Sequence, residues 1–349
     1  QRQMCIRDRV PPPPARPTTT LPVAPAAESR RPRLFPFEVA ATLPPELRPL
    51  ERLARNFYWC WDPEGRELFE ELSPRRWQAC AHNPVLLLRM VYPEDLAERA
   101  RDERYLAKLG RVLARLDAYL GEGPERISLE GGGEVSVDRP VAYLCAEFGL
   151  HESLAIYSGG LGVLAGDHLK AASDLRLPLV GVGLFYKKGY RHQQVTATGD
   201  QVARDHLNDP NKLPLTLVLD ERGAPVEVSL ELPSSKLVLR AWRVEVGRVP
   251  LYLLDADLEA NRREDRAITA ELYGGDQETR LRQEIVLGRG GARLLAALGI
   301  RPSVWHINEG HAAFMAVERV GALVRDQALT FDEARELVRA TTAFTTHTP

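Results

Sequence analysis

Residues 156–186 read IYSGGLGVLAGDHLKAASDLRLPLVGVGLFY, and few folds accommodate that order. Four glycines (Gly159, Gly160, Gly162 and Gly166) crowd the start of a helical pattern. Each costs roughly 1 kcal/mol against alanine inside a helix. Two needs could justify the cost: tight helix–sheet packing, or a backbone that comes very near a ligand. Just upstream, PVAYLCAEF at 140–148 reads as a buried strand, and LPLVGVGLFY at 177–186 as the next. Between them residues 161–175 read as a helix whose apolar positions are Leu164, Ala165, Leu169, Ala172 and Leu175. Strand, glycine loop, helix and strand make a βαβ unit, whose crossover geometry favours a parallel sheet.

The pattern continues downstream. Residues 213–219, 226–232 (VEVSLEL, alternating) and 237–255 read as strands with turn signals between them. Residues 278–298 return to helix, weakened locally by Gly288, Gly290 and Gly291. SVWHIN is a short strand, GHAAFMAVERVGALV a helix, and TTAFTTH another strand. Thr330 and Glu333 stand as a capping box for the helix FDEARELVRA. From residue 139 onward the chain therefore reads as a doubly wound α/β domain carrying a β insertion.

Residues 36–125 read as a small helical domain, with Leu47, Leu50, Leu53 and Phe57 at helical spacing and a second helical pattern over 94–120. Its aromatic residues Phe57, Tyr58, Trp59, Trp61 and Trp77 could stack on sugars, but the core of the helical domain is the favoured reading. Residues 126–138 form a Gly-rich linker. Residues 1–35 read as an extended Pro-rich tail, of which 1–9 look non-native, and the chain reads as a piece of a longer protein.

A net charge of −2 argues against a nucleic-acid partner, since there is no basic excess to displace counterions. No apolar run reaches the ~18 residues of a membrane span. The four cysteines (Cys5, Cys60, Cys80 and Cys145) lack CxxC spacing, which suggests reduced thiols in a cytoplasmic protein.

In open α/β sheets ligands bind at the carboxyl ends of strands. Three loops fall there: SGGLG at 158–162, NEGH at 308–311 and THTP at 346–349. At the first, backbone N–H groups at a helix start attract phosphate, and missing Cβ atoms permit close approach. Packing alone remains the alternative. At the second, His306, Glu309 and His311 straddle a strand-to-helix turn, so a metal site is not expected. Asn308 and Glu309 suit sugar hydroxyls better, with a capping role for Asn308 as the alternative. His347 belongs to the third loop, and Asp276, after the Gly274–Gly275 turn, could reach a ligand or lie in a plain surface loop.

Read together, AEFGLHESLAIYSGGLGVLAGDHLKAASDL, LYLLDADLEANRREDRAITAELYGGDQETRLRQE, VWHINEGHAAF and FTTHTP closely resemble the bacterial and archaeal alpha-glucan phosphorylases of glycosyltransferase family 35. The resemblance covers about residues 36–349 and includes the helical N-terminal domain of that branch. It implies a GT-B fold of two Rossmann-like domains, of which this chain would hold the first, incomplete, behind its helical extension. It implies retaining phosphorolysis of terminal α-1,4-glucosyl units by inorganic phosphate, giving glucose 1-phosphate. The implied cofactor is pyridoxal phosphate, whose own phosphate exchanges a proton with the substrate phosphate.

By motif, Gly159, Gly160 and Leu161 would face phosphate and glucose, and Asp276 would sit on a gating loop. Asn308, Glu309 and His347 would line the glucose pocket, His347 as the catalytic-site residue, while Glu147 and Phe148 would lie on the cofactor side. GLHES after Phe148 and GGD at 274–276 depart from the animal and plant enzymes, so the cofactor contacts and allosteric control of those enzymes do not carry over. The family's Schiff-base lysine is expected beyond residue 349, so this polypeptide alone is expected to be inactive. A homo-oligomer is compatible with the resemblance. The rival readings are a glucan synthase of the same fold using a nucleotide-sugar, and a catalytically dead glucan-binding module.

Overall fold

The computed structural model describes residues 42–130 and 132–347; the Pro-rich tail and the last two residues of THTP lie outside them. Helices come first: α1 (Pro49–Arg55), α2 (Pro63–Leu72), α3 (Pro74–Ala79), α4 (Pro84–Met90), α5 (Pro93–Arg99) and α6 (Glu103–Gly121). The first five begin on proline, whose missing N–H is no loss at a helix start. Asp62, Asn83 and Asp102 cap α2, α4 and α6 by accepting backbone N–H groups. Along α6, Tyr105, Leu109, Val112 and Leu116 recur every three or four residues and form its buried face. Phe57, Trp59 and Trp77 are buried and belong to the core, while Tyr58 and Trp61 are half-buried and in edge contact with each other.

After a short antiparallel pair, β1 (Ile127–Ser128) and β2 (Glu134–Val135), comes the βαβ unit: β3 (Val141–Leu144), α7 (Gly160–Asp174) and β4 (Leu179–Leu184). β5 (Lys188–Val195) and β6 (Gln201–Leu207) form a separate hairpin, which the strand candidates read from the sequence did not include. Val195, Val202 and Leu207 are exposed, so at these positions the burial alternation that marks a strand is missing. β7 (Thr216–Leu217), β8 (Glu227–Leu232), β9 (Ser235–Val246) and β10 (Val249–Asp255) make the antiparallel passage. The stretch 237–255, read as one strand candidate, is a hairpin folded at Gly247. That residue adopts φ +60°, and a Cβ there would lie 2.2 Å from Ser173 Oγ. Asn56 of the helical region holds this turn, donating to the Gly247 carbonyl and accepting its N–H, both at 3.0 Å.

The remaining elements are α8 (Arg263–Arg266), α9 (Gln277–Ile285), α10 (Gly291–Ala297), β11 (Val304–Asn308), α11 (Phe314–Gln327), α12 (Phe331–Ala340) and β12 (Thr342–Thr345). A π-turn at Val286–Gly290 joins α9 to α10, at the glycines expected to weaken that helix. The Thr330–Glu333 capping box is formed.

The sheet order is β12-β11-β3-β4-β10-β9-β7, with β8 also on β9. β12, β11, β3, β4 and β10 run parallel. The first parallel strand is central, the next two lie to one side, and the last two lie to the other. This is the doubly wound Rossmann order 3-2-1-4-5. Gly181 faces Leu169 of α7 while its neighbour Val182 faces Gly291 of α10, so helices cover both faces of the sheet.

On α7 the buried side is Ala165, Leu169 and Ala172, as read, but Leu164 and Leu175 are 48% and 65% exposed. Spacing identifies a helix. The width of its buried stripe depends on what packs against it.

Candidate functional site

The topological switch point of this sheet lies between β3 and β11, the neighbours from which the chain departs in opposite directions. Glu147 follows β3, Asn308 ends β11 with Glu309 directly after it, and His347 follows β12. The structure brings these together with the glycine loop at the start of α7.

The four glycines of that loop divide into two pairs. A Cβ on Gly166 would lie 2.2 Å from the Gly149 carbonyl oxygen, and one on Gly162 would lie 2.6 Å from Tyr157 Cβ and 2.7 Å from Glu147 Oε2. Those two are packing glycines. Gly159 and Gly160 are exposed, and nothing lies within 4 Å of a Cβ built on either. No neighbour among the described residues requires glycine there. What they leave open is the approach to the N-terminus of a fifteen-residue helix. Leu161 packs partly against the core.

Glu147 ties this loop to another. Its Oε2 accepts from the N–H of Ser158 at 2.6 Å and of Gly159 at 3.4 Å, and its Oε1 accepts from the Tyr273 hydroxyl at 2.7 Å. Burial, with the Glu147 carboxylate beside it, raises the Tyr273 pKa and keeps the phenol protonated. Phe148 is wholly buried, in ring contact with Tyr143 and against Gly183, and its ring has no free surface to offer a ligand.

Asn308 is 1% exposed. Its amide nitrogen donates to Cys145 Sγ at 3.4 Å, and its Oδ1 lies 2.7 Å from His347 Nε2. An amide oxygen only accepts, so Nε2 of His347 carries a proton in this contact. Burial pushes the Cys145 thiol up to about 11, which keeps it a neutral partner. Glu309 sits at φ +63°, ψ 176°, a region that costs non-glycine residues of order 1–3 kcal/mol. In that conformation its N–H donates to Thr345 at 2.9 Å and its carboxylate accepts the His347 backbone N–H.

Asp276 is elsewhere. Its carboxylate caps α9, accepting the N–H and hydroxyl of Thr279 at 2.8 Å each, and the Thr279 N–H holds its pKa down. It lines a cleft with Glu264 and Arg282, while Tyr273, three residues earlier, lines a separate cavity of about 220 Å³ with Tyr186, Gln283 and His311. Tyr273 and Cys145 escaped the sequence reading. The signal available for Tyr273 was its place before the Gly274–Gly275 turn, where it takes φ +54°. His306 bonds Thr345 Oγ1 at 2.7 Å and packs against Tyr143, away from Glu309. No three His, Cys, Asp or Glu side chains among the described residues are grouped to hold a metal. No helix among them is long and apolar enough to cross a membrane.

Beneath the glycine loop runs the segment 149–153. His151 is largely buried against Trp59, and its Nδ1 accepts the Ser153 N–H at 3.1 Å. Burial pushes its pKa from 6.5 down to about 4. The folded protein therefore disfavours the charged ring. This histidine destabilises the fold progressively as pH falls from about 6.5 to about 4, by roughly 3 kcal/mol when complete. Urea midpoints between pH 6.5 and 4.5 should fall, and His151→Gln should flatten that slope.

The fold and its loops thus define an α/β protein with a Rossmann-type sheet whose switch point gathers Glu147, Asn308, Glu309 and His347 near an open helix N-terminus. A family model described as "Protein of unknown function (DUF3417)" matches residues 43–154. The chain is 45% identical over 322 residues to the glycogen phosphorylase of Mycobacterium tuberculosis, covering 90% of this chain and 37% of that protein. It is 40% identical to the maltodextrin phosphorylase of Thermococcus litoralis (89% and 37% covered) and 38% identical to the glycogen phosphorylase of Aquifex aeolicus (86% and 42% covered). The chain is a homologue of glycogen and maltodextrin phosphorylases over most of its own length, and spans well under half the length of these relatives.

Proposed function

We propose that this chain forms one wall of the active site of an α-1,4-glucan phosphorylase, in the first domain of a GT-B fold and in a cytoplasmic setting. The reaction breaks the bond from C1 of the terminal glucosyl unit to the glycosidic oxygen, forms a bond from C1 to a phosphate oxygen with retention, and delivers a proton to the departing oxygen. The observation that carries this reading is the pair Gly159–Gly160, glycines that no packing contact requires, at a helix N-terminus on the switch point. The N–H groups of Gly160 and Leu161 would hold phosphate. Nδ1 of His347 would accept from a sugar hydroxyl, with Asn308 and Glu309 fixing the ring and its backbone. Asp276 would act through the loop that it caps. Glu147 would hold that loop and the glycine loop together.

Pyridoxal phosphate would supply acid–base chemistry from its phosphate when bound. Its covalent attachment needs a lysine, and residues 158–162, 308–311 and 346–349 contain none. Lys108, Lys187 and Lys188 are engaged with Glu71, Asp257 and Glu271. The loops of the proposed site thus supply no amine for that attachment. The purified chain supplied with pyridoxal phosphate, maltoheptaose and inorganic phosphate is accordingly expected to release no glucose 1-phosphate. Phosphate with maltoheptaose should nonetheless slow amide exchange at 158–163 and 306–311. Protection by a nucleotide-sugar in place of phosphate would favour the synthase reading. Retention on a glucan affinity gel without turnover, by the full-length protein as well, would favour the binding-module reading.

A further inference from the structure

The helical region has no part in the chemistry proposed above, yet it grips the segment on which the glycine loop rests. Trp59, wholly buried, packs edge-to-face on His151 with ring centroids 4.8 Å apart. The Trp59 indole nitrogen has no hydrogen-bond partner among the described residues. His82, at φ +54° in the turn between α3 and α4, pairs with Glu152.

The other side of the same segment is locked to α7. The Gly149 N–H donates to the Gly162 carbonyl at 2.7 Å, and the Gly149 carbonyl lies where a Cβ on Gly166 would be. A contact from the helical region therefore reaches the first turn of α7 through the His151 and Glu152 side chains and then the backbone of the segment that carries them. The family model matching residues 43–154 spans both partners, from the helices through the 149–153 segment.

We infer that the helical region is a positioning device for the glycine loop. Trp59 and His82 hold residues 149–153 against α7, and so set where the open N–H groups of Gly160 and Leu161 stand. His82 and Trp59 are positioning residues; neither touches the proposed ligands. The inference rests on the phosphorylase reading only for what the loop binds, not for the coupling itself.

Amide exchange on the full chain tests both, by separate arms. Without ligand, Glu152→Gln, which removes one charge at a half-exposed side chain, should speed exchange at 158–163 roughly three- to fivefold while the β3 and β4 strands stay unchanged. Trp59→Phe should act in the same direction, and Glu152→Asp should restore part of the protection. Unchanged exchange at 158–163 in both Glu152→Gln and Trp59→Phe, with loosening confined to the helices, would overturn the inference. In the second arm, inorganic phosphate is added to the unaltered protein. Failure to protect 158–163 there would count against the phosphorylase reading and leave the coupling standing on the first arm.

Discussion

Gly166→Ala is expected to destabilise the protein by about 3 kcal/mol or more, while Gly160→Ala leaves stability unchanged or slightly raised. The two positions lie six residues apart on α7, and the same methyl group is added at each. On Gly166 it would stand 2.2 Å from the oxygen and 2.5 Å from the carbon of the Gly149 carbonyl. Both are backbone atoms, fixed by the Gly149–Gly162 hydrogen bond. No rotamer change relieves that contact, so the helix must lift off the turn that follows β3. On Gly160 the methyl meets nothing, and alanine brings a better helix propensity. Its cost should fall on binding. The methyl projects into the space before the N–H groups at the helix start, and affinity for inorganic phosphate should drop by about tenfold, some 1.4 kcal/mol. Urea denaturation and calorimetric titration of both variants check the contrast. Equal stabilities would show that the packing account of Gly166 is wrong, and undiminished phosphate affinity in Gly160→Ala would remove the basis for an anion site.

That contrast also marks how far the sequence can be read. The glycine cluster announces a loop where backbone approaches something closely, but the four letters are identical. Only the path of Gly149 beneath α7 separates the packing pair from the open pair. The parallel core was legible because buried strands such as LVGVGL and turn-bounded helices alternate in simple order. That alternation implies a doubly wound domain, but crossover handedness alone does not fix where the strand order reverses, at β3. The β5–β6 hairpin was not legible, since its pairing is made by backbone groups while Val195, Val202 and Leu207 stay exposed. The exposure of Leu164 and Leu175 depends on what packs against α7, and the site roles of Tyr273 and Cys145 depend on distant partners. Each acts through a partner more than 100 residues away, on Glu147 and Asn308 respectively. Local spacing carries no trace of such pairs.

Glu147→Leu should give the second large effect, a loss of roughly 3 kcal/mol together with a disordered glycine loop, whereas Glu147→Gln should cost 1 kcal/mol or less. The carboxylate is 3% exposed and accepts from the Ser158 N–H, the Gly159 N–H and the Tyr273 hydroxyl. Leucine has a similar volume and keeps the packing, but it strands the Ser158 N–H without an acceptor, and an unsatisfied buried donor costs about 1–3 kcal/mol. It also releases the Tyr273 hydroxyl, so the loop carrying Asp276 loses its tie to α7. Glutamine differs because its two ends are unlike. Its carbonyl must face Ser158, since an N–H there would meet another N–H, and its NH₂ then faces Tyr273. A phenol hydroxyl can accept as well as donate, so the second bond survives with its direction reversed. Tyrosine is therefore the partner that makes the amide tolerable. The combined variant Glu147→Gln with Tyr273→Phe removes that acceptor and should show a coupling of about 1 kcal/mol in a double-mutant cycle. Additive effects of the two changes would mean that Tyr273 does not share the Glu147 network.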